Sequence, residues 1–332
     1  MKRTLILLLA FLSLGGITTW YLLTQQDDKT TLMGAERRFA VENTDDIHKI
    51  FIANRRGETT TLERRDGYWL FNGEFKARPN AIKNLLDAIR RVQVKYKPPQ
   101  AAVENIVRDL ATNGLKVEIY DSRDQLLKSY YVGGGTPDER GTYMIIDGAE
   151  QPYVASIPGW EGNLRFRYNL TGEDWRDKTV FAYQPDDIQS VAVAYPKQRN
   201  KSFRLERAGG GFEVTPYYEV TPRINQPLAP GKVEAYLTNF ESLVAEAFEN
   251  ENIYQDSIKQ LVPFSIIAVT DRTGEVTQAR LFPIIPKADP AYNLEGADTV
   301  ERYLADVNGE DFMLIQHRVF SKILWGDRKS VV

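Results

Sequence analysis

The feature that most constrains this chain is a pattern that occurs twice. DIHKIFIANRRGETTTLERRDGYWL begins at Asp46, and DIQSVAVAYPKQRNKSFRLERAGGGFEV begins at Asp187. Each opens on an acidic residue and an isoleucine at the head of an alternating apolar run. Each then passes a polar turn and reaches Leu-Glu-Arg, at Leu62, Glu63 and Arg64 or at Leu205, Glu206 and Arg207. A glycine-bearing turn follows and delivers an aromatic residue, Trp69 or Phe212. Alternation of apolar and polar side chains marks a strand with one wet face. Asp66-Gly67 is a strong turn signal, because glycine accepts positive φ without a steric penalty. Each copy is therefore expected to open as three meandering antiparallel strands, and self-similarity at long period predicts two similar units.

A helical stripe follows in each copy. Pro79-Asn80 precede Ile82, Leu85, Leu86, Ile89 and Val92, and Pro230-Gly231 precede Val233, Tyr236, Leu237, Phe240, Leu243 and Val244. Spacings of three and four put these side chains on one helix face, suited to cover a sheet. A second short helix is expected around Ala101 to Leu110, with a weaker counterpart at Asn252 to Leu261. Strands return at Leu115 to Tyr120 and Leu126 to Val132, matched by Phe264 to Val269 and Val276 to Phe282. A further hairpin closes each copy: Thr142 to Ile146 with Tyr153 to Ile157, and Arg302 to Val307 with Asp311 to Gln316. The predicted fold is α+β, a tandem repeat of an antiparallel-sheet-plus-helix unit ordered β-β-β-α-α-β-β-β-β. The second copy carries an insertion from Pro283 to about Thr299, read as a surface loop.

The N-terminus adds a further element. Lys2 and Arg3 precede an uncharged run from Thr4 to Leu23, and Gln25, Gln26, Asp27 and Asp28 follow it. A membrane-spanning helix needs about 20 apolar residues, which this run supplies. Positive charge before the run predicts a cytoplasmic N-terminus and a translocated body, and Trp20 and Tyr21 fall where an aromatic belt sits. The rival is a cleaved signal peptide, with Gly15, Gly16 and Thr18 near a cleavage point. The absence of an Ala-x-Ala site and the length of the run favour an uncleaved anchor. The expected organisation is an N-terminal transmembrane anchor at 1–26, a polar tether at 27–45 and a first repeat at 46–158. A connector rich in arginine and aromatic residues follows at 159–185, either helical or part of the interface between repeats, and a second repeat at 186–332.

Several chemistries are poorly served by this sequence. A net charge of -3 with interleaved signs offers no concentrated basic surface for nucleic acid. There is no cysteine, which removes disulfides, thiolate catalysis, cysteine-ligated zinc and the attachment cysteine of a bacterial lipoprotein. His48 and His317 stand alone, without the convergent spacing of a metal site. Asp121-Ser122-Arg123-Asp124 reads as a polar hairpin turn rather than a calcium loop. Gly133-Gly134-Gly135 leads through Thr136-Pro137-Asp138-Glu139-Arg140 into another strand, where a phosphate loop leads into a helix, so a flexible hairpin is expected. Serine nucleophile motifs are absent. Glu173-Asp174 and Asp138-Glu139 are the nearest candidates for paired carboxylates and read as solvated acids. No cofactor is expected. The remaining candidates lie in WEGNLRFRYNLTGEDWRDKTV, where Trp160, Arg165, Arg167, Trp175 and Arg176 combine the residue types that interfaces favour. They are read as a possible partner-binding set, with packing as the plainer role for the tryptophans.

Asp46-Ile47, Leu62-Glu63-Arg64, Asp66-Gly67-Tyr68-Trp69, the helix ending near Val92, Val132-Gly133 and Trp175-Arg176-Asp177-Lys178 together carry a family likeness. In their order the chain resembles the bacterial family named domain of unknown function 4340, from about Asp46 onward. The resemblance implies an envelope protein, often encoded beside ABC-type transport components of the kind linked to gliding motility, and it implies no catalytic residues. Some relatives look like lipoproteins; lacking cysteine, this chain departs from them. The expected function is that of a non-enzymatic accessory or scaffold subunit, anchored in the bacterial inner membrane by a single pass with its body in the periplasm. Its expected partners are permease or ATPase subunits of an ABC-type transporter, or other envelope proteins. The alternatives are a periplasmic glycan- or peptide-binding module and, third, an envelope hydrolase.

Overall fold

The computed structural model describes residue 34, residues 38–223, residue 228, residues 231–285 and residues 300–324. The expected anchor at 1–26 and most of the insertion before Thr299 lie outside these. Among the described residues no helix is long and apolar enough to cross a membrane. The chain forms two compact units that divide between Asp177 and Lys178.

The first unit contains β1 (Lys49–Ala53), β2 (Thr59–Arg64), β3 (Trp69–Phe71), β4 (Phe75–Lys76), α1 (Pro79–Arg91), β5 (Gln93–Tyr96), α2 (Gln100–Asn113), β6 (Leu115–Tyr120), β7 (Leu126–Gly135), β8 (Thr142–Ile146) and β9 (Tyr153–Ser156). Its strands make one antiparallel sheet ordered β4-β3-β2-β1-β6-β7-β8-β9-β5. α1 begins at Pro79, whose fixed φ suits a first helical turn, and buries Ala81, Ile82, Leu85, Ala88 and Ile89. These pack with Ile50, Leu62, Val117, Tyr130 and Met144 of the sheet in a single core. Each fully buried leucine or isoleucine there contributes about 1.5–3 kcal/mol. α2 lies on the opposite face, where Ile106 and Leu110 meet Ile145. The packed body starts before Asp46: Phe39, inside the stretch expected as a tether, is 1% exposed and meets Tyr130 and Tyr153 edge-on.

Two strands of this unit escape the sequence pattern. β4 is two residues long, and β5, between the helices, pairs with β9 at the sheet edge. Gly133 is not in a flexible turn. It belongs to β7, and a Cβ there would meet Leu110 Cδ2 at 2.7 Å, so glycine is what lets α2 approach the sheet.

The second unit contains β10 (Thr179–Phe181), β11 (Ile188–Ala194), β12 (Phe203–Ala208), β13 (Gly211–Pro216), α3 (Lys232–Leu237), β14 (Leu243–Val244), β15 (Ala247–Phe248), α4 (Gln255–Lys259), β16 (Ser265–Asp271), β17 (Val276–Pro283), β18 (Arg302–Val307), β19 (Asp311–Gln316) and α5 (His317–Phe320). Its main sheet is ordered β13-β12-β11-β16-β17-β18-β19-β15, with β10 and β14 as a separate ribbon. The helical stripe expected to run to Val244 stops early. α3 gives way to a 3-10 turn at Thr238–Phe240, and Leu243 and Val244 extend to pair with β10. Tyr236, Leu237 and Phe240 still reach the core, which they share with Val191, Ile267 and Ile315.

The twice-used sequence pattern has one physical cause in both units. A 3-10 turn precedes the first strand of the pattern, at Thr44–Asp46 and at Pro185–Asp187. The arginine of Leu-Glu-Arg clamps that turn. Arg64 donates through Nε to the Ile47 carbonyl at 2.8 Å and through Nη2 to the Thr44 carbonyl at 2.7 Å. Arg207 donates to the Ile188 carbonyl at 3.1 Å and to the Pro185 carbonyl at 3.0 Å. Each guanidinium also lies over the aromatic residue opposite it in the next strand, Trp69 at 5.0 Å and Phe212 at 4.5 Å. Hydrogen bonds from a charged donor stabilise by about 1.5–3 kcal/mol. A second shared device is an aspartate at the following hairpin. Asp121 accepts from the backbone N–H groups of Arg123 and Gln125, and Asp271 does the same for Thr273 and Glu275. These carboxylates are therefore turn acceptors, and the hydrogen bonds hold both below the ordinary carboxylate range.

Candidate functional site

The outer face of α1 is the most distinctive surface of the first unit. Burial of one stripe leaves Asn80, Lys83, Asn84, Arg90 and Arg91 exposed and Asp87 half-buried. A groove of about 730 Å³ runs along one side of the helix. Its walls include Tyr68, Trp69 and Ala77 on the sheet side and Ile82, Leu86 and Asp87 on the helix, with Lys76, Lys83 and Arg90 bringing positive charge. Tyr68, at the turn before β3, is 41% exposed. On the other side of α1 lies a recess of about 290 Å³ lined by Arg78, Asn80, Ala81, Asn84, Phe166, Arg167 and Leu170.

The electrostatics of this surface centre on Asp87. Arg167 Nη1 lies 2.9 Å from Asp87 Oδ2, and Arg90 and Arg91 each lie 3.5 Å from Oδ1. Burial alone raises the Asp87 carboxyl, but the hydrogen bond from Arg167 and the charge and hydrogen bond of Arg91 outweigh it, leaving Asp87 below the ordinary carboxylate range. Lys76 pairs with Asp177 at 3.8 Å. The surface thus offers cations, aromatic faces and the side-chain amides of Asn80 and Asn84.

The five residues read as a partner-binding set do not form one cluster. Trp160 and Arg167 do come together: the Arg167 guanidinium lies 5.0 Å from the Trp160 ring and 5.8 Å from Phe166. Gly162, at φ +140°, makes room for this tryptophan, since a Cβ there would sit 2.7 Å from the indole. Arg165 points elsewhere and donates to the carbonyls of Val132 at 2.9 Å and Asn113 at 2.7 Å. It closes the C-terminal end of α2 onto β7, and burial pulls its pKa down. Trp175 is fully buried, its indole N–H donating to the Leu170 carbonyl at 2.8 Å. Arg176 stacks 3.8 Å above the Phe75 ring and pairs with Glu173 at 3.1 Å. The stretch expected as a connector is thus largely part of the first unit, where the 3-10 turn at Leu164–Arg167 packs against α1 and β7 and the turn at Gly172–Trp175 places Trp175 in the core.

Sequence reasoning missed Arg78, Lys83 and Phe166. Arg78 precedes Pro79, and that pair marks a helix start, yet nothing in the local spacing shows that the chain returns at Phe166 to wall off the same recess. Among the described residues no three histidine, aspartate or glutamate side chains converge as a metal site. His317 instead shares a 3.0 Å hydrogen bond with the Tyr303 hydroxyl.

No curated protein matches this chain. The family model described as domain of unknown function DUF4340 matches residues 69–260, from β3 through α1 and on into the second unit, and the chain belongs to that family.

Proposed function

We propose that the protein is a non-enzymatic docking subunit of an envelope assembly, and that the outer face of α1 is where its protein partner binds. In this reading the N-terminal segment is a single-pass inner-membrane anchor and the body stands in the periplasm. The two units are tandem copies of one α+β fold, and the assembly is of the ABC-type transport or motility-related class. The observation that carries the docking role is the pair of hollows flanking α1, walled by Tyr68 and Phe166 and edged with cations. Protein interfaces favour such aromatic and arginine-rich concavities. Apart from β4 at one edge of the first sheet, the strand order is the same in both, β3-β2-β1-β6-β7-β8-β9-β5 and β13-β12-β11-β16-β17-β18-β19-β15, which supports the tandem reading. The arginine clamps and aspartate turns shared by the units support it further.

Chemistry by paired carboxylates receives less support. Asp87, Glu118, Asp121, Asp138, Glu246 and Asp271 are all displaced downward, whereas a general acid working near neutral pH needs a carboxyl displaced upward. Binding of a glycan or peptide is the second reading, favoured by the exposed ring of Tyr68 at the open groove.

The test is an affinity pull-down of the full-length protein from native membranes in mild detergent. Stoichiometric recovery of transporter permease and ATPase subunits is expected. A variant with Lys83→Glu and Tyr68→Ala is expected to lose them while remaining folded, because both residues are exposed. Recovery of the protein alone would remove membership in such an assembly, and peptide and glycan binding screens would then decide between the docking and glycan readings.

A further inference from the structure

The recess at the start of α1 holds two arginines in different states. Arg167 is engaged by Asp87 and by the Asn84 carbonyl at 3.3 Å. Arg78 is not: among the described residues its guanidinium donates to nothing, and its Nε is buried without an acceptor. The Nε of Arg167 is likewise buried without an acceptor. An N–H buried without an acceptor is costly, so a recess walled by two guanidinium groups that each keep such an Nε–H is primed for an acceptor from outside. Its other walls set the company that acceptor keeps. Phe166 is 56% exposed, and Leu170 lies beside it.

We infer that the recess between Arg78 and Arg167 receives a carboxylate from an acidic segment of a protein partner, whose neighbouring apolar side chains lie on Phe166 and Leu170. The inference rests on the docking reading of the α1 surface and names the chemistry that this surface selects. Charge complementarity argues for the acidic segment. Asp87 is already held by Arg167, Arg90 and Arg91, and Arg78 has no ion-pair partner among the described residues. The planar guanidinium of Arg78 suits a carboxylate, which can take two parallel hydrogen bonds from it. The aromatic and aliphatic walls argue for a peptide over a small polyanion, which would gain nothing from them.

The experiment uses the full-length protein in mild detergent and a fluorescein-labelled peptide of alternating glutamate and leucine, read by anisotropy. Its glutamine counterpart and inorganic phosphate serve as controls. The glutamate peptide is expected to bind at least tenfold more tightly than the glutamine peptide, as loss of a charge-assisted hydrogen bond predicts to roughly an order of magnitude. Arg78→Met is expected to lose about tenfold and Arg78→Lys less, since lysine keeps the charge but not the fork. Asn80→Glu, an exposed change at the mouth of the recess, is expected to repel the peptide without touching the core. Wild-type affinity in both Arg78→Met and Asn80→Glu would overturn the inference, as would equal binding of the glutamine peptide. Displacement of the peptide by inorganic phosphate at low millimolar concentration would overturn the peptide assignment in favour of a simple anion site. Failure of the wild-type protein to bind the peptide while transporter subunits are still recovered would sink this inference alone. Peptide binding without recovery of an assembly would sink only the membership in that assembly.

Discussion

The outer faces of the two sheets solve one problem with different chemistry. In the first unit Tyr131 on β7 stands opposite Ile145 on β8, and Ile106 and Leu110 of α2 pack onto that face. At the matching place in the second unit Arg280 on β17 stands opposite Asp306 on β18. Lys259 of α4 reaches Asp306 Oδ1 at 3.1 Å, and Arg280 reaches Oδ2 at 3.2 Å. The Asp306 side chain is only 4% exposed. One helix is thus attached by apolar burial and the other by a carboxylate shared between two cations. Apolar burial is non-directional and lets a 14-residue helix settle along the sheet. An ion cluster is directional, and it fastens a five-residue helix at one point.

The difference can be broken from either side. Asp306→Ala is expected to have the largest effect, a loss of about 3–5 kcal/mol, because it strands Lys259 and Arg280 in a poorly hydrated place. Hydrogen exchange should show the loss on β17 and β18, and unchanged protection there would refute the assignment. Leu110→Ala follows, at about 3 kcal/mol from lost burial and the cavity left behind, with protection falling on β7 and β8. A triple replacement, Lys259→Leu with Arg280→Tyr and Asp306→Ile, imports the apolar solution into the second unit. It is expected to come within about 1 kcal/mol of the parent or exceed it, since well-packed apolar residues match many buried ion clusters. Urea denaturation at low and high salt should show the salt dependence of the second unit shrinking.

The smallest effect separates α1 from α3. α1 is tied through Asp87 to Arg167, while α3 anchors through the Tyr236 hydroxyl to the Ile323 carbonyl at 3.1 Å. Because folding lowers the Asp87 pKa, its contribution is fully present above the unfolded value of about 3.9 and is lost as pH falls through the folded one. Asp87→Asn should therefore flatten the acid limb of the stability profile and leave neutral-pH stability lower by about 1 kcal/mol. An acid limb identical to the parent's would remove Asp87 from the account.

What the sequence disclosed and what it withheld divides along locality. The meander of β1, β2 and β3 was legible because alternation, turn and return lie within one stretch. Leu-Glu-Arg was legible as a signature, while its meaning was not: the clamp joins Arg64 to carbonyls at Thr44 and Ile47. β5 was hidden because Gln93-Val94-Lys95-Tyr96 presents only one half-buried residue and takes its partner from β9. β14 was hidden because Leu243 and Val244 continue a helical spacing by coincidence after the chain has left the helix. Arg167 was singled out by composition alone, and the recess that gives it a role exists only because residues 164–170 return to α1.

The series of attachments at the front of the first unit has a mechanical consequence. A pull on the chain from its N-terminal side meets Phe39 first, seated edge-on against Tyr130 and Tyr153. The Val41 N–H, bonded to the Ile89 carbonyl at 3.2 Å, comes next, and then the turn held by Arg64. Only after these does tension reach β1, which is hydrogen-bonded on both edges, to β2 and to β6. Loaded lengthwise, such a strand resists in shear: its ladder bonds must fail together rather than peel apart one by one. The attachments ahead of β1 thus lie in series, and each must yield before the next one along the chain is loaded.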